Sequence, residues 1–107
     1  MRERSNVDPD DLARLVERLA DRLGHLSTRR LEPLEADVRT HLGELAALAL
    51  TAQGEPARAL PPVAARAWGD QLMVLGRDLV DGLRRRPDPA HSARAHAVLV
   101  DLRRTLP

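Results

Sequence analysis

RAWGDQLMVLGRDLVDGLRRRP, residues 66–87, is the stretch that decides the fold. Large apolar residues recur in it every three or four positions, which is the spacing of a helix with one buried face; they are Trp68, Leu72, Leu75, Leu79 and Leu83. Gly69, Met73, Gly76 and Val80 lie beside them on a helical wheel and widen the apolar arc to roughly 180°. Pro61 or Pro62 can start such a helix and Pro87 ends it, so the pattern predicts a helix over about residues 62–86.

Three further helices are predicted around this one. The first covers about residues 9–25 and the last about residues 89–106, and each opens on an Asp-Pro pair in which the Asp caps the helix and the Pro takes its first position. The second covers about residues 33–53 and ends at Gly54, with Pro56 two residues later. Residues 1–7 are polar and are expected to be flexible.

A chain of 107 residues with four helices predicts a single all-α domain over residues 1–107. The helices are joined by short connections, and short connections favour antiparallel neighbours. We therefore expect an antiparallel four-helix bundle with up-down-up-down topology.

The composition excludes several classes of site. The chain has no Cys, so it carries no disulfide and no thiolate ligand or nucleophile. All 17 basic residues are Arg and none is Lys, which is typical of a GC-rich bacterial genome, so the Arg content alone does not indicate phosphate binding. No run approaches the ~20 apolar residues of a membrane span and no signal peptide is recognisable, so we expect a cytoplasmic protein.

Glycine inside a helix costs about 0.5–1 kcal/mol relative to alanine, so the glycines of the third helix need an explanation. Gly69 and Gly76 are seven residues apart and form a smooth strip that another helix can approach closely. That helix belongs either to the same chain or to a second one. The main functional hypothesis is a protein-interaction surface, for a homodimer or an adaptor, made of Trp68, Gly69, Met73, Gly76 and Val80.

Arginine clusters supply the alternative hypothesis. In an up-down-up-down bundle the first and third helices end at the same pole, which would gather Arg22, Arg29, Arg30, Arg84, Arg85 and Arg86. Such a pole can bind an anionic ligand or nucleic acid, although no aromatic residue accompanies the arginines for base stacking. Arg14, Arg18 and Arg22 also form a stripe, but Glu17 and Asp21 flank it and an Arg18–Asp21 ion pair is expected, so it is interpreted as a solvated face.

No catalytic constellation, cofactor motif or metal site is predicted. His41 precedes Glu44 by three residues, the reverse of the Glu-x-x-His order of di-metal bundles, and His91 and His96 point to different faces. A third possibility is a small apolar ligand, since a Leu and Ala core without other aromatics can pack imperfectly. The sequence does not locate a cavity for it.

Overall fold

The computed structural model describes residues 7–107, so the expectation of flexibility at residues 1–7 falls outside the described part for all but Val7. The described chain forms four long helices and one short one: α1 (Pro9–His25), α2 (Thr28–Leu31), α3 (Glu35–Ala52), α4 (Trp68–Arg85) and α5 (Pro89–Thr105). No strand occurs between residues 7 and 107. The all-α prediction is confirmed. None of the described helices combines the length and apolar character needed to cross a lipid bilayer.

Both Asp-Pro pairs start helices as predicted. The Asp8 carboxylate accepts a hydrogen bond from the amide of Asp10 at 2.8 Å, and the Asp88 carboxylate accepts one from the amide of His91 at 3.1 Å. Each bond satisfies an amide of the first turn that has no partner within its own helix.

The connection between the first two predicted helices contains an extra turn. The Ser27 hydroxyl accepts a hydrogen bond from the Arg30 amide at 3.2 Å and so caps α2. A 3₁₀ turn over Glu32–Leu34 then takes up Pro33, and α3 begins at Glu35. The segment between the first two predicted helices is therefore a break at residues 26–27 followed by a short helix. Ser27 caps this helix, and Pro33 lies beyond its end and does not interrupt it.

α3 ends in a Schellman motif centred on Gly54. The Gly54 amide donates to the Thr51 carbonyl at 3.0 Å, the Glu55 amide donates to the Leu50 carbonyl at 2.9 Å, and Gly54 has φ 71°. This left-handed conformation is costly for residues that carry a Cβ.

Gly54→Ala is therefore expected to lower the free energy of unfolding by about 1 kcal/mol. Gly24→Ala is the matched control, because a Cβ at Gly24 meets no atom within 4 Å and its backbone is helical. Urea denaturation of both variants checks the prediction. Equal stability of the two variants would contradict it.

α4 begins at Trp68, six residues later than predicted. Residues 55–64 are not helical, and a 3₁₀ turn over Ala65–Ala67 leads into α4. Proline disfavours helical geometry in the residue before it, so the Pro61-Pro62 pair holds this part of the chain extended. Ten extended residues reach about 33 Å, against about 27 Å for the 18 residues of α3. The connection is thus long enough to run the whole length of the bundle.

The connection returns the chain to the end where α3 began, so α3 and α4 run parallel. Trp68 lies against Arg39 near the start of both helices, whereas Gly82 lies against Ala52 near the end of both. α4 is antiparallel to α1, since Gly69 lies against Ala20 and Arg84 pairs with Asp10.

α5 is antiparallel to α3, as shown by contacts of His91 with Leu48 and of Thr105 with His41. The order is therefore up-down-down-up, and the predicted up-down-up-down topology is wrong. The prediction fails because it takes the connection after Gly54 as a short one between antiparallel neighbours, whereas this connection runs along the bundle.

The core is built from leucine. Fully buried side chains come from every helix, and the largest are Trp68, Leu12, Leu31, Leu42, Leu45, Leu72, Leu79, Leu83, Leu99 and Leu102. α4 packs between α1 and α3, and α5 closes the bundle between the same two helices on the other side. The arrangement leaves one groove between α1 and α5 and another between α3 and α4.

Candidate functional site

The glycine face predicted as an interaction surface lies against α1. A Cβ built on Gly76 would stand 2.5 Å from a methyl carbon of Val16, and one built on Gly69 would stand 2.9 Å from the Ala20 carbonyl oxygen. Val80 is buried and Met73 is half-buried on the same side of α4. The close approach that these glycines allow is therefore used within the chain, by α1.

Trp68 is a core residue, with 1% of its surface exposed. The Arg39 guanidinium lies 6.0 Å from the centre of its ring, at the outer limit for a cation–π contact. Arg39 is held there by a 2.8 Å bond to Glu35 and a 3.1 Å bond to the Val63 carbonyl. The indole N–H is buried without a hydrogen-bond partner among the described residues. Trp68 in this position offers no surface to a partner.

The predicted arginine pole is divided between opposite ends of the bundle, because α1 and α4 end at opposite poles. At the α4 end, Arg84 pairs with Asp10 at 2.5 Å, Arg85 donates to the Gln53 side chain, and the Arg86 guanidinium lies over Gly54. The triple arginine thus ties the end of α4 to the start of α1 and the end of α3.

Arg22 and Arg30 lie at the other end, where they border the groove between α1 and α5 together with Arg18 and Arg103. Arg29 is exposed on α2 and does not line this groove. Within residues 7–107, none of the four bordering arginines is within ion-pair distance of a carboxylate. We call this feature the arginine groove.

The expected Arg18–Asp21 ion pair is absent for a local reason. Asp21 faces His25 instead, with 3.5 Å between its carboxylate and the imidazole Nδ1, and that ring nitrogen also contacts the Asp21 carbonyl at 2.7 Å. Asp21 is the one carboxylate side chain among the described residues that line the groove. Among the described residues, the side chains that line the groove therefore carry four guanidinium groups and one carboxylate.

The floor of the arginine groove is apolar. It is formed by Leu15, Leu19, Leu26 and Leu106, and the groove has a volume of about 780 Å³. The α1 part of the groove runs from residue 15 to residue 26, about 17 Å at the helical rise. Leu15, Leu19 and Leu106 are buried and Leu26 is half-buried, so the floor is the edge of the hydrophobic core.

Helix dipoles explain only half of the rim. Arg22 and Arg103 lie in the last turns of α1 and α5, where cations complement the unpaired carbonyls. Arg18 lies two turns before the end of α1, beyond the reach of that effect, and Arg30 lies in the last turn of α2, a helix of only four residues with a correspondingly small dipole. Their convergence on the same groove needs another explanation.

The two histidines near the core link α3 to α5. His91 Nε2 lies 2.8 Å from the Leu48 carbonyl oxygen, and His41 Nε2 lies 3.3 Å from the Thr105 hydroxyl. Within residues 7–107 no three His, Asp or Glu side chains cluster in a way that could hold a metal ion.

The fold and the groove define this chain as an all-α bundle with a cationic, leucine-floored surface groove. Comparisons of the chain with protein-family models, with curated proteins and with solved structures find no match.

Sequence reasoning named Arg22 and Arg30 but missed the rest of the groove. In the sequence, Arg18 belongs to a stripe that is interpreted as solvated, and Arg103 lies in the last turn of α5, where a cation complements the helix dipole. The groove follows from the parallel packing of α1 and α5, which depends on the path of residues 54–67. The i,i+4 spacing of Arg18 and Arg22 is the signal that could have indicated a shared cationic edge.

Proposed function

We propose that this protein is a protein-interaction module that binds an acidic, amphipathic helical segment of a partner in the arginine groove. The observation that carries the proposal is the convergence, on a leucine floor, of four arginines that have no carboxylate partner among residues 7–107. Helix-in-groove recognition uses apolar anchors every three or four residues, and arginine clusters recognise acidic motifs. A 17 Å groove accommodates about three turns of such a helix.

The leucine floor favours a protein segment over nucleic acid. Binding to a phosphate backbone needs cations but no apolar floor, and nucleic acid offers mainly phosphate and sugar to a protein surface. The one aromatic residue of the chain is buried, so it cannot stack on a base. Nucleic acid and simple anions remain outcomes that the experiment distinguishes.

The experiment is a selection of helical 16-residue peptides from a display library, followed by fluorescence anisotropy with the enriched peptides. We expect enrichment of Glu and Asp together with Leu at helical spacing, and affinity that falls as salt rises, because the arginine contacts are electrostatic. An oligoglutamate of equal length and a DNA duplex serve as competitors.

Charge reversal of the groove tests the site. Arg18→Glu with Arg22→Glu is expected to weaken peptide binding at least tenfold, because two attractive contacts become repulsive. Arg77→Glu with Arg94→Glu is the matched control. Both arginines are exposed and lie outside the groove, and the double substitution changes the net charge by the same amount. Circular dichroism confirms that both variants are folded.

Three results would overturn the proposal. An equal loss in the control variant would mean that only net charge matters. Oligoglutamate binding as tightly as the leucine-containing peptide would indicate a plain anion site. Tighter binding of duplex DNA would favour the nucleic-acid alternative.

A further inference from the structure

A second groove lies on the opposite face of the bundle, where α3 and α4 run side by side and residues 55–61 pass along them. It has a volume of about 470 Å³, within the usual range of small-molecule sites. Its apolar lining residues come from all three segments and include Ala49 and Leu50 of α3, Val74 and Leu75 of α4, and Leu60 of the connection. We call it the α3–α4 groove.

Val74 marks this groove as an apolar surface that faces solvent. Val74 is 57% exposed, whereas the other large hydrophobic residues between positions 7 and 107 are buried or half-buried. The connection is fastened at the edge of the groove, where Gln71 donates to the carbonyl of the lining residue Pro61 at 3.2 Å, and beyond it, where Arg39 donates to the Val63 carbonyl. Leu60 of the connection forms one side of the groove and Val74 of α4 another.

The charges at the rim indicate what kind of ligand fits. Arg58 pairs with Glu55 at 3.2 Å, and Arg85 donates to the Gln53 side chain. Asp78 and Asp81 also line the rim, and neither is within ion-pair distance of a cation among residues 7–107. The Arg58–Glu55 pair cancels, whereas Gln53 is neutral and leaves Arg85 charged, so Asp78, Asp81 and Arg85 give the groove one net negative charge beside an apolar wall.

We infer that the α3–α4 groove binds a small amphipathic amine, with its hydrocarbon part against Val74 and Leu50 and its ammonium group facing Asp78 and Asp81. Hydrocarbon in contact with the wall removes apolar surface from water, and the carboxylates select the cation. This site is separate from the arginine groove and does not depend on its function.

Octylamine, octanoate and octanol are the probes, each titrated into the full-length protein and followed by two-dimensional amide NMR. Octylamine is expected to shift the amides of Leu50, Val74 and Asp78 saturably, with octanol weaker and octanoate weakest at these positions. Absence of saturable shifts in this groove, or equal affinity for octylamine and octanoate, would overturn the inference.

Asp78→Asn with Asp81→Asn is expected to weaken octylamine binding at least fivefold and to leave octanol binding unchanged. Asp37→Asn with Asp70→Asn is the control, because both residues are exposed and lie outside the groove. All four positions are on the surface, so the variants retain the core. Equal losses of octylamine affinity in the two double variants would show that the carboxylates of the groove do not select the ligand.

Discussion

Replacing Gly82 by alanine is expected to lower the free energy of unfolding by about 2–3 kcal/mol, although alanine is the better helix former. A Cβ at Gly82 would stand 2.4 Å from the carbonyl oxygen of Ala52 and 2.6 Å from its carbonyl carbon. These are backbone atoms of α3, so no side chain can rotate away, and α3 and α4 must separate. For a domain of this size we expect a fall in Tm of roughly 10 °C or more.

Gly43→Ala is the control for Gly82→Ala. Gly43 is also inside a helix, but a Cβ there meets no atom within 4 Å. The substitution is expected to stabilise the protein by about 0.5–1 kcal/mol through helix propensity alone. If the packing is as described, thermal unfolding gives a lower Tm for Gly82→Ala and a higher Tm for Gly43→Ala than for the unchanged protein. Two stabilised variants would show that α3 and α4 do not approach closely at Gly82.

Gly76→Ala is expected to destabilise the protein by about 2 kcal/mol through a clash of a different kind. The new Cβ would meet the two methyl carbons of Val16 at 2.5 and 2.8 Å. Valine has a stiff χ1 angle, so these methyl groups cannot easily move aside. Unlike the clash at Gly82, this one can be removed by truncating a side chain.

A double-mutant cycle with Val16→Ala makes this difference measurable. Val16→Ala alone removes buried methyl groups and is expected to cost about 1–2 kcal/mol. In that background Gly76→Ala should cost less, since the two methyl carbons are gone and only the Cβ of residue 16, at 3.1 Å, stays close, and the coupling energy should reach about 1–2 kcal/mol. Additive effects in urea denaturation would contradict the contact between α1 and α4.

These glycines show what helical spacing alone can and cannot predict. The wheel placed Gly69 and Gly76 on one edge of the buried face of α4, and α1 lies against that edge. Gly82 belongs to the other edge, against α3. The sequence predicts that these glycines permit close approach, but it cannot say which helix approaches each one.

The Asp-Pro caps predict the starts of α1 and α5 correctly, whereas the start and the direction of α4 are predicted wrongly. The bounds Pro9–His25 and Pro89–Thr105 agree with the predicted 9–25 and 89–106 to within a residue, because capping chemistry is contained in two or three neighbouring residues. The direction of α4 depends on whether GEPARALPP turns back or extends, and its Pro and Gly residues are compatible with both. Because the direction of α4 is predicted wrongly, the six arginines do not gather at one pole, and the arginine groove is not predicted.

The most direct test of the arginine groove is to map where an acidic amphipathic peptide binds on the ¹⁵N-labelled 107-residue chain by NMR. Shift changes concentrated at residues 15–30 and 99–107, which lie on α1, α2 and the end of α5, are the predicted result. Changes centred on Met73 and Val80, or on Arg84–Arg86, would place the partner elsewhere and contradict the account.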